Sequence, residues 1–229
     1  MEFAQIKAVT FDAGGTLIEP WPSVGQVYAT VAAESGHPRI SAEKLNDAFA
    51  KAWKEKQSFD YSRSSWFTLV EEVFTTGAGA KPPLSAKLFD SLYERFTRAS
   101  VWHVYDDVHP TLQALRARGY RLGVISNWDD RLKPLLSDLQ LSNYFETVLL
   151  SVDIGANKPS PPIFEQTLKL LNVSASELLH VGDSMEEDVI GPKECGIAAL
   201  LLDRKRKVTG SLSSLTGLLS LVPGSAVRG

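Results

Sequence analysis

One cysteine, two methionines and four histidines stand among the 229 residues of this chain. A single thiol, Cys195, excludes an internal disulfide and suits a reducing compartment. The histidines, His37, His103, His109 and His180, have no spacing that would let them share a metal, and His180, set in an apolar run, reads as a core residue. No apolar run approaches the ~20 residues that a membrane-spanning helix needs. The first residues carry no basic stretch ahead of a long apolar one, so no secretory leader is expected. A basic excess is missing too. The 24 Lys and Arg against 27 Asp and Glu give a formal charge of -3, which argues against nucleic acid as a partner. The one basic run, Arg204 to Lys207, reads as a solvated loop. A hydrophobic share of 44% is enough for a packed core. The expectation is a cytoplasmic protein with neither membrane nor nucleic acid as partner.

Short apolar runs occur at 8–11, 121–125, 147–151 and 178–181, each followed by polar or small residues; a fifth, 198–202, lacks that ending. Runs of this length read as buried strands. Between them lie segments of helical spacing. Residues 107–118 put Val108, Leu112 and Leu115 on one face and stop at Gly119. Segments 132–139 and 161–171 behave alike, and 187–196 does so with Pro192 inside it. Strands alternating with helices imply right-handed crossovers and a mostly parallel sheet. From 18 to 101 the pattern changes. Helical spacing fills 24–35, 42–56 behind a capping Ser41, 64–75 and 85–98, with 76–83 as a loop and little that reads as strand. The expected fold is therefore α/β: a parallel-sheet core from 1–17 and 102–229, interrupted by an all-helical insertion at 18–101. A last helix is expected within 212–221 and a frayed end at 223–229.

Open parallel sheets bind ligands beyond the carboxyl ends of their strands. That rule gathers four segments. The first holds Asp12, Gly14 and Thr16; the second, Ser126 and Asn127; the third, Lys158; the fourth, Asp183, Ser184 and Asp188. Each has a plain reading alone. Asp12 could cap a turn, as could Thr16. Asn127 or Asp129 could cap a helix, Lys158 could be a surface lysine, and Glu186, Glu187 and Asp188 could stabilise a helix start. Together they form a site with a carboxylate nucleophile, hydroxyls, an amide, one ammonium and further acids.

Four motifs in this order and spacing resemble the haloacid dehalogenase superfamily of aspartate-nucleophile hydrolases, over nearly the whole chain. The pattern is most similar to the group described as haloacid dehalogenase-like hydrolase domain-containing protein 3. The resemblance implies a Rossmann-like core, a mobile helical cap and Mg2+ as cofactor. Asp12 matches the nucleophile, which would form an aspartyl phosphate. Lys158 matches the lysine that neutralises Asp12 and the transferring group. Ser126 and Asn127 match residues that hold phosphoryl oxygens, and Thr16 could hydrogen-bond near Asp12. Asp183 matches the magnesium ligand, joined by Asp12, the Gly14 backbone carbonyl and Asp188, the last through water. One position departs from the pattern. Gly14 stands where the family's phosphatases carry a second Asp, a general acid and base worth roughly 10²–10⁴-fold.

The expected function is a Mg-dependent phosphatase of small phosphorylated molecules, weakened by Gly14. A 2-haloacid dehalogenase is the first alternative, because halide leaves without a proton. The second is a phosphate-ligand-binding or regulatory module without turnover. Arg63 is the cation of the helical insertion best suited to grip an anionic substrate, although exposed surface is its plainer reading.

Overall fold

A computed structural model describes residues 3, 5–37, 39–56 and 59–222. The frayed end expected at 223–229 lies outside them. Strand β1 (Ala8–Phe11) comes first, and β2 (Ile18–Pro20) leads into α1 (Val24–Glu34), α2 (Ala42–Glu55), α3 (Arg63–Ala78) and α4 (Ala86–Arg95). Then follow β3 (Trp102–Val104), α5 (Val108–Ala117), β4 (Arg121–Ser126), α6 (Leu132–Asp138), β5 (Thr147–Leu150) and α7 (Ser151–Ile154). The chain continues through α8 (Pro161–Leu171), β6 (Leu178–Gly182), α9 (Gly191–Glu194), β7 (Ala198–Leu201) and α10 (Leu218–Leu221). It forms two compact units, one made of the residues up to Ile18 and from Val104 on, the other of Glu19–His103.

In the first unit β5, β4, β1, β6 and β7 lie side by side in that order, and all their pairings are parallel. Strands buried on both faces need apolar residues throughout, and every residue of β1 and β6 is buried. Ile163, Phe164 and Leu171 of α8 pack with Ala8, Ile125, Leu149 and Leu178 of the strands. This is the expected Rossmann-like α/β arrangement. The strand order reverses at β1, with β4 and β5 on one side and β6 and β7 on the other. Such a switch point opens a crevice at the carboxyl ends of the strands, and Asp12 and Asp183 follow directly on β1 and β6.

Local differences from the sequence pattern have local causes. Segment 187–196 is a π-type turn, Met185–Ile190, followed by α9. Pro192 sits in the first turn of α9, where no N–H is needed. Segment 212–221 is a single 3-10 turn, Leu215–Gly217, running into α10. The three-residue strands β2 and β3 pair with each other and are too short to show a period. Among the described residues, no helix is long and apolar enough to cross a membrane.

The second unit has its own core, in which Tyr28, Val31, Leu45, Val73, Phe74, Leu88 and Leu92 from all its helices are buried together. Ser23, Ser41 and Ser62 cap α1, α2 and α3 by accepting from backbone N–H groups three residues on. Helix α3 runs into the stretch that reads as a loop and stops at Gly79, whose φ of 66° suits glycine. Arg63 pairs with Asp90 at 2.6 Å and stacks on Tyr93 at 4.4 Å, so it is held by its own unit.

The basic run divides. Lys205, Arg206 and Lys207 are exposed, as a solvated loop requires. Arg204 turns inward instead. It makes two 3.0 Å bonds to Asp107, donates to the Thr16 carbonyl at 2.7 Å and lies over the Tyr105 ring at 3.7 Å. It thereby ties the segment after β7 to the loop after β1. Arg204→Ala leaves Asp107 and the Thr16 carbonyl short of a donor. We expect a loss on the order of 2 kcal/mol in urea denaturation, against little change for Lys205→Ala.

Candidate functional site

Asp12 is the first residue past β1, and its backbone N–H still donates to Val181 at 3.0 Å, which fixes the carboxyl group at the sheet rim. Its Oδ1 accepts from Ser126 Oγ at 3.0 Å and from Lys158 Nζ at 2.7 Å. Oδ2 has no hydrogen bond among the described residues, so one oxygen is held and the other is open. Lys158 is no surface lysine. Its side chain is fully buried, and Nζ bridges Asp12 to Asp188 Oδ1, the latter at 2.5 Å.

The lysine is held from behind by Asn127. The Asn127 amide donates to the Lys158 carbonyl at 2.9 Å and accepts from its N–H at 2.7 Å. Both ends of the side-chain amide are thus used on the Lys158 backbone. Thr16 is placed differently from its sequence reading. It is fully buried, and its hydroxyl has no hydrogen-bond partner among the described residues, Asp12 included.

Asp188 comes from the π-type turn and is buried. Its Oδ1 accepts from Lys158 and contacts His180 Nε2 at 3.1 Å, while Oδ2 accepts from the Ser184 N–H at 2.9 Å. A Cβ on Gly182 would lie 2.2 Å from Asp188 Cγ, so only glycine allows this approach. Behind Asp188 stands the residue whose connection sequence reasoning missed. His180 is buried, as expected of a core residue, but its Nδ1 meets Thr10 Oγ1 at 2.9 Å, completing a chain from Thr10 through His180 and Asp188 to Lys158 and Asp12. Thr10 and His180 are register partners on adjacent strands. The missing signal was the pairing of β1 with β6, which periodicity does not reveal.

Burial lowers the His180 pKa and keeps the ring neutral. The network then assigns Nε2–H as donor to Asp188 and Nδ1 as acceptor from Thr10. For Lys158, burial alone would lower the pKa, but the charges of Asp12 and Asp188 outweigh it and hold the ammonium above its usual range. Burial pushes Asp12 up, with Lys158 opposing. Burial would also raise Asp188, but Lys158 and His180 overcome it and hold its carboxylate low.

Asp183 remains exposed at the surface, with Glu186 exposed beyond it. Its Oδ2 would touch a Cβ on Gly15 at 2.4 Å, and Gly15 also has a φ of 76°, so glycine is required there twice over. Crowding by protein atoms, then the charges of Asp12 and Asp188, push Asp183 up to about 7. Ligand oxygens of Asp12, Asp183 and Asp188 lie within 4.8 Å of one another. When all three acids are ionised, one ammonium leaves two negative charges uncompensated, and the raised pKa of Asp183 reports that repulsion. An all-oxygen set with that charge fits a hard divalent cation such as Mg2+. Asp183 is the most open donor of the three, since both oxygens of Asp188 are engaged.

A family model described as haloacid dehalogenase-like hydrolase matches residues 6–196. A Danio rerio relative, haloacid dehalogenase-like hydrolase domain-containing protein 3, is 33% identical over 209 residues, 87% of this chain and 86% of its own. A solved HAD phosphatase from Thermococcus onnurineus superposes with a TM-score of 0.71 at 28% identity, covering 97% of this chain and 100% of that one. A solved 2-haloacid dehalogenase from Pseudomonas syringae gives 0.64 at 27% identity, covering 94% and 97%.

Removing the His180 ring takes a donor from buried Asp188 and a partner from Thr10. For His180→Ala we expect a loss of about 1–3 kcal/mol in urea denaturation. His180→Gln, which keeps an N–H donor, should lose less.

Proposed function

Because this chain belongs to the haloacid dehalogenase-like hydrolases, we propose that it is a Mg-dependent phosphatase of small phosphorylated molecules, working through an aspartyl phosphate. One observation carries this reading: Asp12 has one oxygen held by Ser126 and Lys158 and the other open beside Asp183. A restrained carboxylate with a free lone pair is poised to attack phosphorus. Asp12 Oδ2 forms a bond to phosphorus, the bond to the leaving oxygen breaks, and that oxygen departs with the electron pair. Water then attacks the aspartyl phosphate, releasing inorganic phosphate and regenerating Asp12.

Lys158 keeps its proton throughout, since the site holds its pKa high. It neutralises charge on Asp12 and the phosphoryl group and is not an acid for the leaving group. Ser126 orients Asp12 and can reach phosphoryl oxygens. Asn127 positions Lys158 through its backbone. Asp12, Asp183 and the Gly14 carbonyl would hold Mg2+, with Asp188 contributing charge or a water-mediated contact. When bound, the ion would offset the two excess negative charges and polarise the phosphoryl group. The helical unit would act as a cap that gates entry to a cytoplasmic enzyme's site.

A dehalogenase reading draws on Gly14, because halide needs no proton. The cluster of Asp12, Asp183 and Asp188 argues against it, since it suits a divalent cation for which displacement of halide has no need. A binding module without turnover draws on the same glycine and is opposed by the open Asp12 oxygen.

Purified protein should release phosphate from an activated ester with Mg2+ and stop when EDTA is added; halide release from 2-chloropropionate that EDTA leaves untouched would favour the dehalogenase. Asp12→Asn should cut turnover by at least about 10³-fold while circular dichroism stays unchanged. Residual activity near that of the wild type would remove Asp12 as nucleophile. Lys158→Ala should lower kcat by about 10²–10³-fold and also destabilise the fold.

A further inference from the structure

We propose that Thr10 and His180 are positioning residues of this reaction, a buried relay that holds Asp188 against Lys158 and so fixes the ammonium at Asp12. The inference rests on the phosphatase reading above. Both residues lie in core strands and are fully buried, where polar atoms are costly unless paired. They are paired to each other, at 2.9 Å. The Thr10 side chain is set by its two strand neighbours. On the β4 side its register partner is Gly123, where a Cβ would stand 3.3 Å from Thr10 Cγ2. The methyl group fills that side, and the hydroxyl is left to the β6 side, where His180 stands in register. The His180 ring in turn packs on Phe164 of α8, with centroids 6.1 Å apart and planes at 74°.

Direction follows from donors and acceptors. An ionised carboxylate only accepts, so Nε2 carries the hydrogen toward Asp188 Oδ1 at 3.1 Å. Burial keeps the ring neutral, which leaves Nδ1 bare and makes the Thr10 hydroxyl the donor. That hydroxyl therefore selects the tautomer. Without it the ring is free to carry its hydrogen on Nδ1 and to turn a lone pair on Asp188. With it, Asp188 Oδ1 takes the ring N–H and the Lys158 ammonium together, while Oδ2 takes the Ser184 N–H. A carboxylate held from three sides does not swing. The ammonium it shares with Asp12 then has one position, 2.7 Å from Asp12 Oδ1. Turnover depends on that position, because charge developing during phosphoryl transfer is best stabilised by a cation already in place.

The test separates positioning from packing. His180→Phe keeps a ring against Phe164 without a donor. Thr10→Val keeps the side-chain shape without the hydroxyl, and His180→Gln restores an N–H toward Asp188. Val9→Ala loosens β1 on its other face and is the control. Thermal melting confirms that each variant is folded. With 4-nitrophenyl phosphate and Mg2+, kcat should fall about tenfold or more in His180→Phe while KM stays within about twofold. Thr10→Val should lose a smaller factor, His180→Gln should recover most of the loss, and Val9→Ala should keep the wild-type kcat. The Thr10→Val, His180→Phe double variant should be no slower than His180→Phe, because Thr10 acts through the ring. In 15N-edited NMR the wild-type ring should carry its hydrogen on Nε2, and the Lys158 ammonium signal should move in Thr10→Val but not in Val9→Ala. Wild-type kcat in folded His180→Phe, additive losses in the double variant or an Nδ1–H tautomer overturns the proposal. If His180→Phe does not fold, wild-type kcat in Thr10→Val overturns it. Turnover that needs Asp12 but not His180 defeats the relay and leaves the phosphatase. A wild type without turnover that needs Asp12 defeats the phosphatase, and the tautomer and the Lys158 signal then decide whether the relay stands.

Discussion

A fully buried ammonium holds this site together. Lys158 would be very costly to bury alone, and it is tolerated because Asp12 and Asp188 take its charge at 2.7 and 2.5 Å. The surrounding residues serve that arrangement. Asn127 fixes the lysine's backbone, Gly182 lets Asp188 come close, the Ser184 N–H and the His180 ring orient Asp188, and Thr10 orients the ring. One consequence is the asymmetry of Asp12. The cation and Ser126 share one oxygen, so reactivity is directed to the other. A second is the charge of the site, which exceeds what one lysine can balance and so invites a divalent ion.

Much of this was legible in the sequence, for identifiable reasons. The core strands announce themselves because a buried parallel strand needs an unbroken apolar run, and each strand behind the site is followed by a polar or small residue. The strand-end rule then brings Asp12, Ser126, Lys158 and Asp183 together without any coordinates. Other features depend on register or on three-dimensional packing. His180 looks like an ordinary core residue until β1 and β6 are aligned and Thr10 falls beside it. Asn127 suggests a ligand contact by type, yet its amide matches a backbone segment 31 residues away. Arg204 hides in a basic run because composition cannot show which of four neighbouring cations turns inward.

The comparisons fit this division. Solved relatives of similar identity carry the names phosphatase and dehalogenase. A shared fold does not choose between them, and the choice belongs to side chains at the rim. Here those side chains are a carboxylate oxygen of Asp12 with no hydrogen bond among the described residues and the neighbouring Asp183.

The short pairing of β2 with β3 has an evolutionary consequence. Paired strands run about 4.8 Å apart, so the inserted unit leaves and rejoins the sheet unit at neighbouring points. The Thr10–His180–Asp188–Lys158–Asp12 chain draws nothing from the described residues of 19–103. A lineage could therefore shorten, enlarge or exchange the whole insertion through one pair of adjacent junctions while the charge network is inherited intact.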